Sequence, residues 1–273
     1  MGIAIGPFVF SANSLVLLAS IAVAFVWMRR ESRRAGRDLE RHFWITLLVS
    51  LVVARLGYVL TRLPHFSAAP LEALYFWQDG YLVWLGILPA LLMAHALAER
   101  HKYRPRHLLV PLFAGLAVWI LSTWTIDNLR QATERFLPPI ALNTLSNTQV
   151  EMTQYKGQPT VVNLWATWCP PCRREMPVLE AAQAKHADVH FVFANQGEDA
   201  GVITRYLAAQ SLDLRNVVLD QRTQLSQHFA ARGMPTTLFF DADGRLADMH
   251  LGELSHARLA DYIDALKSAQ YTK

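Results

Sequence analysis

Long uncharged apolar runs dominate the first half of the chain. Residues 8–28 contain no charged side chain, and further apolar runs cover 43–63, 81–98 and 108–126. A helix of about 20 apolar residues spans the hydrocarbon core of a bilayer. The pattern therefore predicts a membrane domain of four transmembrane helices over residues 1–129.

A buried helical bundle in a soluble protein is the alternative interpretation of these runs. The first run has no polar face to present to water, which favours the membrane. Two arginines, Arg55 and Arg62, interrupt the second run. A charge within a span is costly and usually functional. For Arg55 the sequence leaves open a packing or lipid-headgroup contact, or a role in lipid chemistry.

Basic residues set the expected orientation of the helices. The loop at 29–42 carries six arginines and the loop at 99–107 carries four basic residues, whereas the N-terminal tail has no charged side chain. Because basic loops stay in the cytoplasm, we expect both termini and the whole second half to be extracytoplasmic. The basic cluster follows the first apolar run instead of preceding it, so this run is expected to remain as an uncleaved anchor.

Strand and helix patterns alternate in the second half, after a linker at 130–138. A short apolar run rich in β-branched residues predicts a buried strand, and a longer amphipathic run predicts a helix. The predicted strands cover 160–166, 189–194, 217–219, 236–240 and 246–251, and the predicted helices cover 172–185, 199–210, 223–231 and 255–267. A hairpin turn at 241–244 joins the last two strands. Residues 139–273 are thus predicted to form an α/β domain with a mixed central sheet.

The composition agrees with a membrane-anchored protein of two parts. Of 273 residues, 52% are hydrophobic and 18% are charged, against about 25% charged in soluble proteins. Intrinsic disorder is excluded, and two cysteines are too few for a disulfide-rich scaffold. The basic excess belongs to the first half, while the second half is slightly acidic. The net positive charge therefore does not indicate nucleic-acid binding.

The candidate chemistry lies in the segment Trp168-Cys169-Pro170-Pro171-Cys172, between a predicted strand and a predicted helix. A cysteine at a helix N-terminus has a lowered thiol pKa and is a thiolate nucleophile near neutral pH. Cys172 follows one turn later on the same face, where it can resolve a mixed disulfide. The two prolines remove N–H donors from this turn, so we expect only a moderate lowering of the pKa.

Two other uses of a Cys-x-x-Cys pair remain open. A structural zinc site needs four ligands, and the ten histidines are scattered, with no second cysteine pair. We therefore expect no metal. A purely structural disulfide across so short a loop removes little chain entropy, so a redox function is favoured over it.

The second half resembles the TlpA/ResA type of membrane-tethered thiol-disulfide oxidoreductases, which have the thioredoxin fold. Besides the two cysteines, the matching positions are Pro177 in the helix, the segment 195–198, and the loop 233–237. The resemblance implies that Cys169 and Cys172 are redox-active without a cofactor, and that Cys169 attacks first. It also implies a cis bond before Pro235. Substrate contacts are expected at Trp168, Met234, Pro235 and Thr236.

Asn163 and Glu175 shape the expected mechanism. Asn163 stands where soluble thioredoxins carry a buried acid, so the usual proton acceptor for the second cysteine is absent. Glu175 lies three residues after Cys172 on the same helical face and matches an acidic residue of the TlpA/ResA type. We expect Glu175 to take the proton of Cys172. The alternative is a solvated surface acid paired with Arg173 or Arg174.

The first half resembles part of prolipoprotein diacylglyceryl transferase over roughly residues 8–98. The matching segments are 54–59, 77–80 and 85–87. Residues 83–86 read Val-Trp-Leu-Gly where that family has a His-Gly-Gly stretch. A lipid-modifying transferase with an appended redox module is therefore the least favoured function.

The expected function is that of a disulfide reductase anchored in the bacterial inner membrane and acting on secreted or periplasmic proteins. An oxidant or isomerase is the alternative, since the reduction potential sets the direction. Both cysteines lie in the second half, so the helices cannot relay electrons by thiol exchange. A separate transmembrane electron donor of the DsbD/CcdA kind is expected, along with contacts to membrane lipid. Cytochrome c maturation is one candidate process, although Thr236 and Thr237 replace a glutamate of the cytochrome-specific members.

Overall fold

The structure is a computed structural model. It describes residues 2–5, 8–36, 38–68, 70–74, 80–131 and 135–270. The chain divides into two compact units. The helical unit is Ala12–Ala132, and the redox unit combines Met1–Ser11 with Thr133–Lys273.

Long helices make up the helical unit. They are α1 (Ala12–Ala35), α2 (Glu40–Thr61), α4 (Val83–His101) and α5 (Arg106–Gln131), with the short helix α3 (Leu63–Ala68) and a 3₁₀ turn (Pro70–Leu74) after α2. Helix α1 packs against α5, and α2 packs against α4. Glycine permits the close approach in both pairs. A Cβ atom on Gly115 would lie 2.9 Å from the Ser20 carbonyl oxygen, and one on Gly86 would lie 2.9 Å from that of Ser50.

Three helical segments of the described chain are long and apolar enough to cross a membrane. They are Glu40–Thr61, Val83–His101 and Arg106–Ile126, which correspond to the second, third and fourth predicted spans. Helix α1 is not among them. Of the transferase-like segments, residues 77–79 lie outside the described residues.

The start of the first predicted helix at residue 8 is wrong. Helix α1 begins at Ala12, and strand β2 (Phe8–Ser11) pairs antiparallel with β1 (Gly2–Ile5). Aromatic and β-branched residues favour extended structure. An uncharged apolar run does not by itself distinguish strand from helix.

A seven-stranded sheet forms the centre of the redox unit, in the order β4-β3-β7-β6-β5-β8-β9. The strands are β3 (Ala141–Thr144), β4 (Gln149–Glu151), β5 (Thr160–Trp165), β6 (His190–Gln196), β7 (Val217–Asp220), β8 (Thr236–Phe240) and β9 (Leu246–Leu251). Strands β5, β6 and β7 are parallel, and the other pairings are antiparallel. The predicted mixed sheet is confirmed. The short, partly polar strands β3 and β4 were not predicted.

Four helices accompany this sheet: α6 (Pro170–Lys185), α7 (Ala200–Gln210), α8 (Gln224–His228) and α9 (His256–Gln270). Every residue of β5 is buried. Val161 and Trp165 pack into the hydrophobic core that includes α6 and α9, whereas Val162 and Leu164 pack into the core on the other face. Because side chains alternate along a strand, Asn163 points to the α6 face.

The predicted linker at 130–138 differs from the observed boundary at both ends. Helix α5 continues to Gln131. Leu137 is buried in the redox unit, and its N–H donates to the Gly244 carbonyl at 2.7 Å. The apolar side chain of Leu137 therefore places the end of this segment in the sheet domain.

Candidate active site

The two cysteines form a disulfide at the junction between β5 and α6, with a Cα–Cα distance of 5.3 Å. Cys169 is the N-cap of α6, and its Sγ accepts a hydrogen bond from the Cys172 N–H at 3.3 Å. Pro170 and Pro171 occupy the first two helical positions, where a missing N–H is tolerated. The helix therefore begins two residues before the predicted start at 172.

The two cysteines are buried within an active-site segment whose Trp168 and Pro170 are exposed. Trp168 is 65% exposed, Cys169 is 3% exposed and Cys172 is fully buried. Cys169 is thus the more accessible of the two cysteines, and the exposed Trp168 directly precedes it.

The loop before β8 has the predicted cis bond between Met234 and Pro235. Met234 packs against the same hydrophobic core as the two cysteines. Thr236 is buried, and its hydroxyl donates to the Gly233 carbonyl at 2.7 Å. The Thr236 side chain thus holds the loop together and is not available to a substrate.

Glu175 is fully buried, so the alternative of a solvated surface acid is wrong. Its Oε1 accepts from Asn163 Nδ2 at 2.8 Å, and its Oε2 accepts from the Leu254 N–H at 3.0 Å. Burial in the core raises the pKa of Glu175 to about 8, and these two hydrogen bonds oppose the rise only in part. Arg174 pairs instead with Glu253, at 2.6 Å.

Glu198 positions the active-site segment, a role that the sequence did not reveal. Its carboxylate accepts from the N–H and hydroxyl of Thr167 at 2.7 and 2.5 Å, and from Asn195 Nδ2 at 2.8 Å. Thr167 lies two residues before Cys169. Two signals in the sequence could have indicated this role. The segment 195–198 resembles the TlpA/ResA type, and it directly follows the predicted strand 189–194.

Arg55 belongs to the helical unit. Its guanidinium donates to the carbonyl oxygens of Ala73, Gly80 and Glu72 at 3.2, 2.9 and 3.1 Å. Aromatic rings of Tyr58, Phe66 and Tyr81 surround it at 5.6 to 6.0 Å. These contacts fold the segment after α2 back onto that helix, which supports a packing role.

A disulfide at the N-terminus of a helix, after a central strand of a mixed sheet and beside a cis-proline loop, defines a thioredoxin-like thiol-disulfide oxidoreductase. Residues 131–266 match the Redoxin family. The chain is 30% identical over 129 residues to the thioredoxin-like protein YneN of Bacillus subtilis, covering 46% of this chain and 76% of that protein. It is 26% identical over 136 residues to thiol-disulfide oxidoreductase ResA of Bacillus subtilis, covering 49% and 75%. The chain belongs to this thioredoxin-like family.

Two further similarities accompany this assignment. A solved thiol:disulfide interchange protein of the thioredoxin family from Chlorobium tepidum is 25% identical, with a TM-score of 0.44, over 49% of this chain and 97% of that one. Residues 1–121 match the prolipoprotein diacylglyceryl transferase family. The second similarity agrees with the transferase-like segments in the sequence and with a membrane anchor.

Proposed function

We propose that this protein is a membrane-anchored, extracytoplasmic disulfide reductase that acts on secreted proteins through Cys169 and Cys172. The observation that carries the direction is the small number of donors at the Cys169 sulfur. Pro170 and Pro171 have no N–H, so among the first three helical residues only Cys172 can donate to it. A weakly stabilised thiolate favours the disulfide form of the enzyme. The reduced protein is then a good electron donor.

Equilibration of the full chain with glutathione buffers tests this direction. A reduction potential near that of thioredoxin, about −270 mV, supports a reductase. A potential near that of DsbA, about −120 mV, would instead make the protein an oxidant. The ratio of reduced to oxidised protein can be read after acid quenching and alkylation.

The proposed reaction has two exchange steps. The Cys169 thiolate attacks a substrate disulfide, forms a mixed disulfide and releases one substrate thiolate. Glu175 then takes the proton of Cys172, and the Cys172 thiolate attacks the Cys169 sulfur. The Cys169–Cys172 disulfide forms, and the second substrate sulfur leaves as a thiolate that takes a proton from water. The buried position of Glu175, three residues after Cys172 on α6, supports this role.

We further propose that the substrate docks beside Trp168 and the Met234–Pro235 loop. An extended substrate segment can pair with the main chain of this loop before β8 begins, as peptides pair with other exposed backbone segments. Thr236 itself takes no part, because its side chain is buried and its main chain pairs with Leu164 of β5 and Leu251 of β9.

Four membrane spans are proposed for the helical unit: α1 in addition to the three candidate spans in α2, α4 and α5. Helix α1 packs closely on α5 through Gly115, and its uncharged segment 12–28 is about 25 Å long at 1.5 Å per residue. Exposed tryptophans occur towards the helix ends predicted to face the cytoplasm, at Trp27 and Trp44, and towards the opposite ends, at Trp84 and Trp124. Such aromatic belts mark the two membrane–water interfaces. The membrane domain predicted over 1–129 then consists of helices α1, α2, α4 and α5, and the sheet domain predicted over 139–273 lies within the redox unit.

The N-terminal strands support an even number of crossings, because they fall in the same compact unit as the redox domain. We propose that this unit is extracytoplasmic, at the bacterial inner membrane. Electrons would come from a separate transmembrane donor of the DsbD/CcdA kind, since neither cysteine lies in the helical unit. Reporter fusions after Arg37 and after Lys273 should give opposite compartment signals. Identical signals would exclude this topology.

A further inference from the structure

Three buried side chains from three different elements meet behind the disulfide. Asn163 on β5 donates from the same Nδ2 to Glu175 Oε1 on α6 at 2.8 Å and to Thr237 Oγ1 on β8 at 3.0 Å. All three residues are at most 1% exposed. Their hydrogen bonds must therefore be satisfied within the protein.

One acceptor in this group is unused. Asn163 Oδ1 is buried and has no hydrogen-bond partner within the part of the chain that the structure describes. A buried polar atom without a hydrogen-bond partner destabilises the fold. The amide therefore carries an acceptor that the arrangement with ionised Glu175 does not need.

Glu175 needs different partners in its two protonation states. The carboxylate accepts from Asn163 Nδ2 and from the Leu254 N–H. The protonated acid carries an O–H that requires an acceptor, and neither of these donor groups supplies one. Asn163 Oδ1, which has no partner, belongs to the same amide as the Nδ2 that donates to Glu175.

We infer that the Asn163 amide reverses about its Cβ–Cγ bond when Glu175 takes up a proton, so that Oδ1 accepts the Glu175 O–H. The Thr237 hydroxyl then changes from acceptor to donor towards the same Oδ1. Three hydrogen bonds hold the group in either state, with the Leu254 bond unchanged. Asn163 is thus a positioning residue that keeps the buried carboxyl hydrogen-bonded in both states, while its Nδ2 moves into the place that Oδ1 held. The inference rests on the proposed role of Glu175 for its part in catalysis.

The charged groups around Glu175 leave both states accessible. Burial raises the pKa of Glu175 to about 8, which lies within reach of mildly alkaline pH. The charges that act on it are Glu253 and Arg174, which have opposite effects and pair with each other at 2.6 Å. Cys169 and Cys172 carry no charge as a disulfide. Burial and the two neutral donors therefore set its proton affinity.

Infrared difference spectra of the full chain in detergent, recorded against pH with carbonyl-labelled asparagine, test the reversal. The carboxyl band of Glu175 is identified by its loss in Glu175→Gln, and the side-chain carbonyl band of Asn163 by its loss in Asn163→Leu. We expect the Asn163 band to move to lower frequency on acidification, with the same midpoint as the Glu175 band. It should not move in Glu175→Gln.

Thr237→Val serves as the matched variant, because it removes one hydroxyl without changing the shape of the side chain. It should reduce the shift of the Asn163 band and leave its coupling to Glu175. A bond to a carboxylate is stronger than one to a neutral acid. Asn163→Leu should therefore raise the Glu175 midpoint by up to about one pH unit and slow resolution at pH 7 by up to about tenfold.

An Asn163 band that stays fixed while Glu175 titrates would overturn the inference, and so would the absence of a titrating Glu175 band. Rates of mixed-disulfide resolution, measured across the same pH range, separate this inference from the proposed function. If the Asn163 band follows Glu175 but the rates do not, the reversal stands and the role of Glu175 as proton acceptor fails.

Discussion

Each unit of this protein places an ionisable side chain among apolar neighbours, and the two differ in their partners. In the helical unit, half-buried Arg55 donates to three main-chain carbonyl oxygens and lies among three aromatic rings. In the redox unit, buried Glu175 has two neutral donors. The first arrangement stabilises a permanent charge and fixes a segment of chain. In the second, burial outweighs the two donors and disfavours the charge. The balance between burial and hydrogen-bond partners therefore differs between the two groups.

The surfaces of the two units differ in the same way. The helical unit exposes large apolar side chains along its helices, such as Leu48, Leu60 and Leu92 at 61 to 67%, as expected against lipid. In the redox unit the most exposed large apolar side chain among the described residues is Trp168, beside the disulfide. We therefore expect the exposed apolar side chains of the helical unit to contact lipid and Trp168 to contact a protein substrate.

The largest expected effect is the loss of all turnover in Cys169→Ser. Cys169 is the proposed attacking thiol, and the chain has no third cysteine that could replace it. Cys172→Ser should accumulate a mixed disulfide with substrate, visible on non-reducing electrophoresis. Reduction of a model protein disulfide measures the turnover. Residual activity in Cys169→Ser, or faster alkylation of Cys172 than of Cys169 in the reduced protein, would reverse these roles.

Next in size is the pH-dependent stability change in Glu175→Gln. The folded pKa of about 8 lies above the usual 4.5, so the folded state keeps a proton that the unfolded chain has lost. The stability that the protonated form confers is fully present below about pH 4.5 and is lost as pH rises towards 8. A shift of about 3.5 units corresponds to about 5 kcal/mol. Glu175→Gln, neutral throughout, should gain stability over the natural protein across this range.

Hydrogen exchange of peptides from β5 and α6 in the full chain, compared between variants at each pH, measures this gain. The exposed Glu151 provides the control, since Glu151→Gln should leave the pH dependence unchanged. If the stability difference between the natural protein and Glu175→Gln did not vary with pH, Glu175 would not hold a proton in the folded state.

A smaller effect of opposite sign is expected for Arg55→Leu. Loss of the guanidinium leaves the carbonyl oxygens of Glu72, Ala73 and Gly80 without this donor, and we expect the helical unit to lose about 3 kcal/mol. Hydrogen exchange in α2 and α4 should rise, and disulfide exchange by the folded protein should not change. Arg30→Leu, at an exposed position, is the control. If Arg55→Leu left hydrogen exchange in the helical unit unchanged but slowed disulfide exchange, Arg55 would have a catalytic rather than a structural role.

Much of the site was predictable because its signals are local. The spacing of Cys169 and Cys172, the strand before them and the helix after them are short-range patterns, and the structure places them as expected. The cis bond before Pro235 followed from resemblance. The burial of Glu175 and the hydrogen bonds of Glu198 to Thr167 could not be predicted from the sequence. A polar residue has the same local pattern whether it faces solvent or a core.

The sequence by itself determined the two-part organisation, the apolar helices, the alternating α/β pattern and the position of the disulfide-forming cysteine pair. Each depends on periodicity or spacing within a few residues. Tertiary structure decided that Glu175 is buried and that its partners are Asn163, 12 residues before it, and the N–H of Leu254, 79 residues after it. Such pairings arise only when strands and loops distant in sequence pack around α6. The electrostatic environment of a buried carboxyl therefore depends on the assembled sheet.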